Sequence, residues 1–220
     1  MATPIADGLV PWPDEFVARY VEAGYWEGLP LGAHLLAAAD RDPGGVAVVD
    51  GDVRLTYADL VSRADGTASR LVDLGIGTGD RMVVQLPNCW EFVVLLLACL
   101  RAGIVPVMAL PGHRRTELTY LAHHSEAVAV AVPDRLRGFD HQSMAHEVEG
   151  PTHVLCAGDD IAPGSECLRT LCAPAEDPAA ERARWDAAAQ GGRDVALFLL
   201  SGGTTGLPKL IPRTLSLIHI

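Results

Sequence analysis

Two rhythms of apolar residues alternate along the chain, and the switches between them mark its elements. Val46–Asp50 and Val53–Thr56 are short apolar-rich runs that suit a hairpin turning at Asp50-Gly51-Asp52. The spacing then changes to three and four, so that Tyr57, Leu60, Val61, Ala64, Ala68, Leu71 and Val72 share one helical face. Thr56 and Asp59 stand at capping-box spacing before that face, and Gly75, Gly77 and Gly79 stop it. Arg81–Leu86 reads as a buried strand ended by Pro87. Asn88 and Glu91 predict a second capping box, opening a helix over Trp90–Ala102 that ends at Gly103. Ile104–Leu110 predicts the next strand in spite of Pro106, and a Pro111-Gly112 turn follows. A helix over Thr116–His124 leads to a strand over Ala127–Val132. Weaker signals place a helix near Gln142–Glu149 and a strand near His153–Cys156. Residues 159–178 read as loop-rich, residues 179–190 as helical, and Val195–Leu200 as a fully apolar strand.

Strand–helix–strand units joined by short connections imply an α/β protein with layered, parallel-rich sheets flanked by helices. The pattern leaves the strand order open, and it contains no internal repeat. Residues 1–30 stand apart as an N-terminal arm, where Trp12, Phe16, Tyr20, Tyr25 and Trp26 crowd between Pro11, Pro13 and Pro30. A short helix of about Asp14–Ala23 is expected there, stapling the arm onto the main body; the alternative is a partner-docking surface.

Composition narrows the classes of function. The 220 residues are 49% hydrophobic and 20% charged, with a formal net charge of -11. So acidic a chain lacks the basic face that nucleic acid or an anionic membrane surface requires. The apolar stretch Phe92–Leu110 is interrupted by Arg101, Gly103 and Pro106, which divide it into a buried helix and a strand instead of a membrane span. The N-terminus carries Asp7 and prolines where a secretory leader has a basic stub and an apolar run. Five cysteines with no CxxC pair point to reduced, structural thiols in a cytoplasmic protein, without metal-site spacing.

The segment that carries chemistry is Ser201-Gly202-Gly203-Thr204-Thr205-Gly206-Leu207-Pro208-Lys209, leaving the strand Val195–Leu200. Three glycines let the backbone bring N–H groups close to an anion. Ser201, Thr204 and Thr205 add hydroxyl donors, and Lys209 adds a mobile positive charge, a set suited to a polyphosphate. A Walker A loop needs its Lys directly after the last Gly, opening a helix. Here Leu207-Pro208 intervene, and Lys209-Leu210-Ile211 reads as a departing strand. The alternative for this segment is a glycine-rich hairpin without a ligand.

This segment resembles the phosphate loop of the adenylate-forming superfamily, which holds acyl-CoA synthetases, luciferases and nonribosomal adenylation domains. Leu55-Thr-Tyr-Ala-Asp-Leu60 is similar to its first core motif and Leu100-Arg-Ala-Gly-Ile-Val-Pro-Val107 to its second. Ala109-Leu-Pro-Gly-His-Arg114 and the arm Pro11-Trp-Pro with Gly24-Tyr-Trp-Glu-Gly28 resemble aryl-acid ligases, those that form 2,3-dihydroxybenzoate- or salicylate-AMP for siderophore assembly. Lys209-Leu-Ile-Pro-Arg-Thr214 continues in the same style.

The resemblance implies that ATP, with Mg²⁺, activates an aromatic carboxylic acid to an acyl-adenylate, releasing pyrophosphate. The acyl group then passes to a phosphopantetheine thiol on an aryl carrier protein. Ser201, Gly202, Gly203, Thr204, Thr205 and Gly206 would wrap the β- and γ-phosphates, with Lys209 in support; no catalytic residue or metal ligand is expected within the chain. Residues 31–214 would form an incomplete N-terminal adenylation domain ending after this loop. Leu215 stands where relatives usually have a His, and residues 215–220 depart from the family, so a truncated frame or cloning junction is expected near Thr214. The chain as it stands is expected to fold poorly and to be inactive. Two other readings remain: a ligase for another carboxylate, such as an acyl-CoA synthetase or amino-acid adenylation domain, and a non-catalytic nucleotide-binding module. His113 reads as a turn histidine, His123-His124 as residues near a helix C-terminus, and the acidic residues of 176–186 as a solvated helix face.

Overall fold

Residues 12–189, 191, 192, 194–201 and 208–214 are described by a computed structural model. The arm holds α1 (Asp14–Glu22), and α2 (Leu31–Arg41) follows. The hairpin β1 (Val46–Asp50) and β2 (Val53–Thr56) leads into α3 (Tyr57–Asp73), β3 (Arg81–Val84), α4 (Trp90–Ala102), β4 (Val105–Met108), α5 (Arg115–Ser125) and β5 (Ala129–Pro133). A two-residue hairpin, β6 (Arg135–Leu136) with β7 (Phe139–Asp140), precedes α6 (His141–His146) and β8 (His153–Ala157). Then come β9 (Ser165–Cys167), α7 (Leu168–Leu171), α8 (Pro178–Ala187), β10 (Val195–Leu200) and β11 (Leu210–Thr214).

Among the described residues the main sheet has seven strands in the order β11-β10-β4-β3-β5-β8-β9. Every neighbouring pair is parallel except β10 with β11. Side chains alternate across it. Met82, Val84, Ala131 and Leu155 face α3 and α4, where Leu71, Leu95, Ala98 and Cys99 complete one core. Val83, Val107, Val130, Val132 and Val154 face α5 and α6, packing on Leu118, Leu121 and Met144. Both faces are covered, the arrangement a parallel sheet requires.

Pro106 occupies a central strand because of which way its nitrogen faces. Val105 N–H donates to Asp80 O and Ala109 N–H to Val84 O, so the odd-numbered donors of this stretch serve β3. The nitrogen of Pro106 therefore faces β10, and the ladder there is reduced to the single register pair Phe198↔Val107.

Local chemistry explains most helix ends. The Thr56–Asp59 capping box forms, with Asp59 N–H donating to Thr56 Oγ1 and Thr56 N–H to Asp59 Oδ2, each at 3.1 Å. The Asn88–Glu91 box does not form. The N-cap of α4 falls one residue later, on Cys89, and the Asp50 carboxylate accepts from Trp90 N–H at 3.0 Å. Gly103 closes α4 in the left-handed region at φ 69°. Residues 159–178, expected as loop, contain β9 and α7, and α2 has no counterpart in the sequence reading.

Glu176, Asp177 and Asp186 are exposed, as expected of a solvated face, and Glu181 is half-buried; the same stretch also ties α8 to the body. Asp186 pairs with Arg101 at 2.8 Å and Arg182 at 2.9 Å, and Glu181 accepts a bond from the Ser69 hydroxyl. Trp185 is buried, its indole N–H donating to Asp65 O and Ser69 Oγ. Beneath it lies the ion pair of Arg101, 8% exposed, with Asp65, 1% exposed, at 2.6 Å. Burial pushes the Asp65 carboxyl above its ordinary range despite that guanidinium. Despite its own partial burial, bonds from Arg182 and Arg101 hold the Asp186 carboxyl below that range.

In the arm the aromatic rings pack on one another. Tyr20 and Trp26 have centroids 5.1 Å apart, and Trp12 meets Trp26 edge-on at 6.0 Å. Trp26 is buried, whereas α1 has no buried residue. All five cysteines are free. Burial pushes the Cys89 thiol up to about 11 and those of Cys156 and Cys172 up to about 12.

Candidate functional site

β4 lies on one side of β3, and β5 and β8 lie on the other, so the strand order reverses between β3 and β5. From β3 the chain departs to α4 on one face of the sheet, and from β4 to α5 on the other. Ligands in open α/β sheets usually sit in a crevice beyond the carboxyl ends of the strands. A cleft of about 1060 Å³ occupies that place. Leu86, Asn88 and Phe92 line it from the β3 side, Ala109 to Arg114 from the β4 side, and Leu199 to Ser201 from β10. Arg137 and His141 reach its edge from the β6–β7 hairpin and α6. Apolar walls with a few converging polar groups suit a small organic ligand.

The wall after β4 is a hydrogen-bonded knot. His113 N–H donates to Leu110 O at 2.9 Å, and Leu110 N–H donates to His113 Nδ1 at 3.2 Å. The Gln85 side-chain amide, fully buried one residue past β3, donates at 2.9 Å to both Leu110 O and His113 O. Arg114 donates to His113 O at 2.8 Å and Pro111 O at 3.2 Å, with its guanidinium 4.1 Å from the Phe139 ring centroid. That distance lies within cation–π range. His113 thus has the turn role expected of it, and it also lines the cleft. Burial pushes its imidazole below the ordinary value, only partly countered by Glu117. Backbone N–H bonds at the start of α5 hold the Glu117 carboxyl low.

At the tip of the β6–β7 hairpin, Arg137 at φ 52° and Gly138 at φ 80° make a two-residue turn with both residues left-handed. Asn, Asp or Gly ordinarily occupies the first of these positions.

Of the predicted phosphate-binding residues, Ser201 and Lys209 meet at the base of the loop. Ser201 N–H donates to Lys209 O at 3.0 Å, and Lys209 N–H donates to Ser201 Oγ at 3.1 Å. This clasp ends the antiparallel pair β10–β11, and Ser201 and Pro208 both border the cleft. Gly202, Gly203, Thr204, Thr205 and Gly206 lie outside the described residues, as do Pro11 of the arm and the tail 215–220. The sequence reading missed Gln85, Arg137 and His141. Gln85 had a signal, being the lone uncharged polar residue in an otherwise apolar strand run.

A family model described as AMP-binding enzyme matches residues 35–218. A Streptomyces protein named salicylyl-CoA synthase / salicylate adenylyltransferase is 58% identical over 94% of this chain and 38% of its own length. The salicyl-AMP ligase / salicyl-S-ArCP synthetase of Mycobacterium tuberculosis is 45% identical over 94% of this chain and 37% of its own. The apo structure of Mycobacterium smegmatis MbtA superposes with a TM-score of 0.81 at 42% identity, covering 95% of this chain and 38% of that one. The chain therefore spans little more than a third of the length of these relatives.

Proposed function

This chain belongs to the AMP-binding enzyme family, and we propose that its cleft and glycine-rich loop serve the ATP-dependent activation of an aromatic carboxylic acid. A carboxylate oxygen attacks the α-phosphorus, the bond to the bridging oxygen breaks, and pyrophosphate leaves with that electron pair. A thiol then takes the acyl group and AMP departs. The observation that carries this reading is the cleft beyond the carboxyl ends of β3, β4 and β10, bordered by Ser201, the residue from which the Gly202–Gly206 segment departs. Aromatic acid is favoured over other carboxylates by the salicylate named for both relatives.

The difficulty of the first step is bringing two anions together while negative charge builds on the departing pyrophosphate. In the proposed arrangement Ser201 to Gly206 direct backbone N–H groups and the Thr204 and Thr205 hydroxyls at the β- and γ-phosphates, and Lys209 adds positive charge. The described residues contain no group of three or more His, Cys, Asp or Glu that could hold a metal. A Mg²⁺ accompanying ATP would ride on the phosphate oxygens, where its charge offsets theirs. Residues 1–30 are proposed as an arm and 31–214 as part of the adenylating domain. No helix among the described residues is long and apolar enough to cross a membrane; cytoplasmic siderophore assembly with an aryl carrier protein is the proposed setting.

The names of the relatives favour two acceptors, a carrier-protein thiol and the thiol of coenzyme A. Offering each thiol after adenylate formation decides between them by which thioester accumulates. For the first step, Thr204→Ala with Thr205→Ala in an intact version of the enzyme would remove the two proposed charge-assisted bonds. ATP affinity should fall at least about tenfold and salicylate-dependent pyrophosphate exchange should fall with it. Undiminished binding and exchange in that variant would overturn the assignment of the loop.

A further inference from the structure

His113 has one ring nitrogen committed and one open. Nδ1 accepts the Leu110 N–H at 3.2 Å, which requires a bare lone pair at that atom. A neutral imidazole that accepts at Nδ1 carries its proton on Nε2. Nε2 has no hydrogen-bond partner among the described residues, and His113 is one of the residues lining the cleft. Burial, which disfavours the charged ring, works in the same direction.

The backbone behind the ring is held from three sides. Gln85 donates to Leu110 O and His113 O, and since both partners are carbonyl oxygens, its amide nitrogen must face them. Its Oε1 is left buried with no partner, so the amide serves this turn alone. Arg114 secures His113 O and Pro111 O, and His141 Nε2 lies 3.3 Å from the same Pro111 carbonyl. A ring anchored this way is an oriented donor on an otherwise mainly apolar wall, formed by Leu86, Phe92, Met108 and Leu110.

We propose that His113, held as its Nε2–H tautomer by the Leu110–His113 knot, donates a hydrogen bond to an oxygen of the molecule bound in the cleft. The shared chemistry is an acceptor oxygen. It comes either from the aromatic acid or from an amide carbonyl of the thiol-bearing arm. The inference rests on the adenylating reading for these two sources, whereas the tautomer rests on the knot itself.

The test is long-range proton–nitrogen NMR of the histidine rings in this chain near pH 7.5, with salicylate and pantetheine titrated separately. In the free protein Nε2 of His113 should carry the proton and Nδ1 should be bare. One of the two probes should move the Nε2–H signal and leave Nδ1 unprotonated, and that probe identifies the source of the oxygen. His113→Asn places an amide oxygen near the position of Nδ1, preserving an acceptor for Leu110, but has no donor at the Nε2 position. Its affinity for the responding probe should fall roughly five- to tenfold. His113→Gln carries its amide out to the Nε2 position and should recover part of the loss. An Nδ1–H or doubly protonated ring in the free protein, no response of Nε2 to either probe, or unchanged affinity in His113→Asn would each overturn the proposal. Should either variant fail to fold, the two wild-type readouts still decide it. ATP binding is measured in parallel: its absence, with the tautomer and pantetheine response intact, would fault the adenylation reading and support the donor.

Discussion

At the level of single residues, the cleft depends on groups whose partners are distant in sequence. Gln85→Leu would strip the donor from two carbonyls 25 and 28 residues further along, and should cost about 2 kcal/mol in urea unfolding. The Leu110–His113 bond also makes stability depend on pH. Because burial holds His113 below its ordinary value of 6.5, the neutral ring contributes fully above that value. The contribution is lost as pH falls through the folded-state value. The wild type should lose more stability between pH 7.5 and pH 5 than His113→Asn, read as the shift in urea midpoint. Glu117 and Arg114 flank the ring, and Arg137 and His141 border the same cleft, so the comparison should be made at one ionic strength. What was legible at this scale was chemistry contiguous in the chain: three glycines, three hydroxyls and a lysine between Ser201 and Lys209. Gln85 and Arg137 were not, since a glutamine in a strand and an arginine in a turn gain meaning only when the fold supplies what stands opposite.

At the level of elements, close packing overrides local preference at Gly66. This glycine lies inside α3, where alanine would ordinarily favour the helix by about 1 kcal/mol. A Cβ there would stand 2.9 Å from the backbone nitrogen of Ala175 and 3.0 Å from its Cα. Backbone cannot step aside as a side-chain tip can. Gly66→Ala should therefore destabilise the protein by about 1–3 kcal/mol, measured by chemical denaturation. Long periodic segments such as α3 and α4 were legible because their apolar spacing repeats over several turns. The three-residue β9 and four-residue α7 were not, being too short to establish a period. The missed cap of α4 has a different cause: the acceptor for Trp90 N–H is Asp50, which belongs to the preceding hairpin.

Across the whole molecule, α3, α4 and α8 meet at the buried pair Arg101–Asp65 and its partner Asp186. Arg101→Met leaves Asp65 buried without its counter-charge and should cost about 3–5 kcal/mol. Adding Asp65→Leu should return much of that loss, and a failure to do so in denaturant melts would show that the pair acts through packing alone. The α/β class and the parallel sheet were legible from alternating elements, but the order of strands was not, because no local pattern records that Phe198 lies beside Val107. That remote pairing has a consequence for how the chain is made. During synthesis β4 emerges about 90 residues before β10, the strand that covers its outer side. At about 5–20 residues per second, that edge waits several seconds for its neighbour. Through that interval the nascent sheet offers strangers an open flank, and Pro106, with no N–H to give on that side, leaves one fewer place for them to attach.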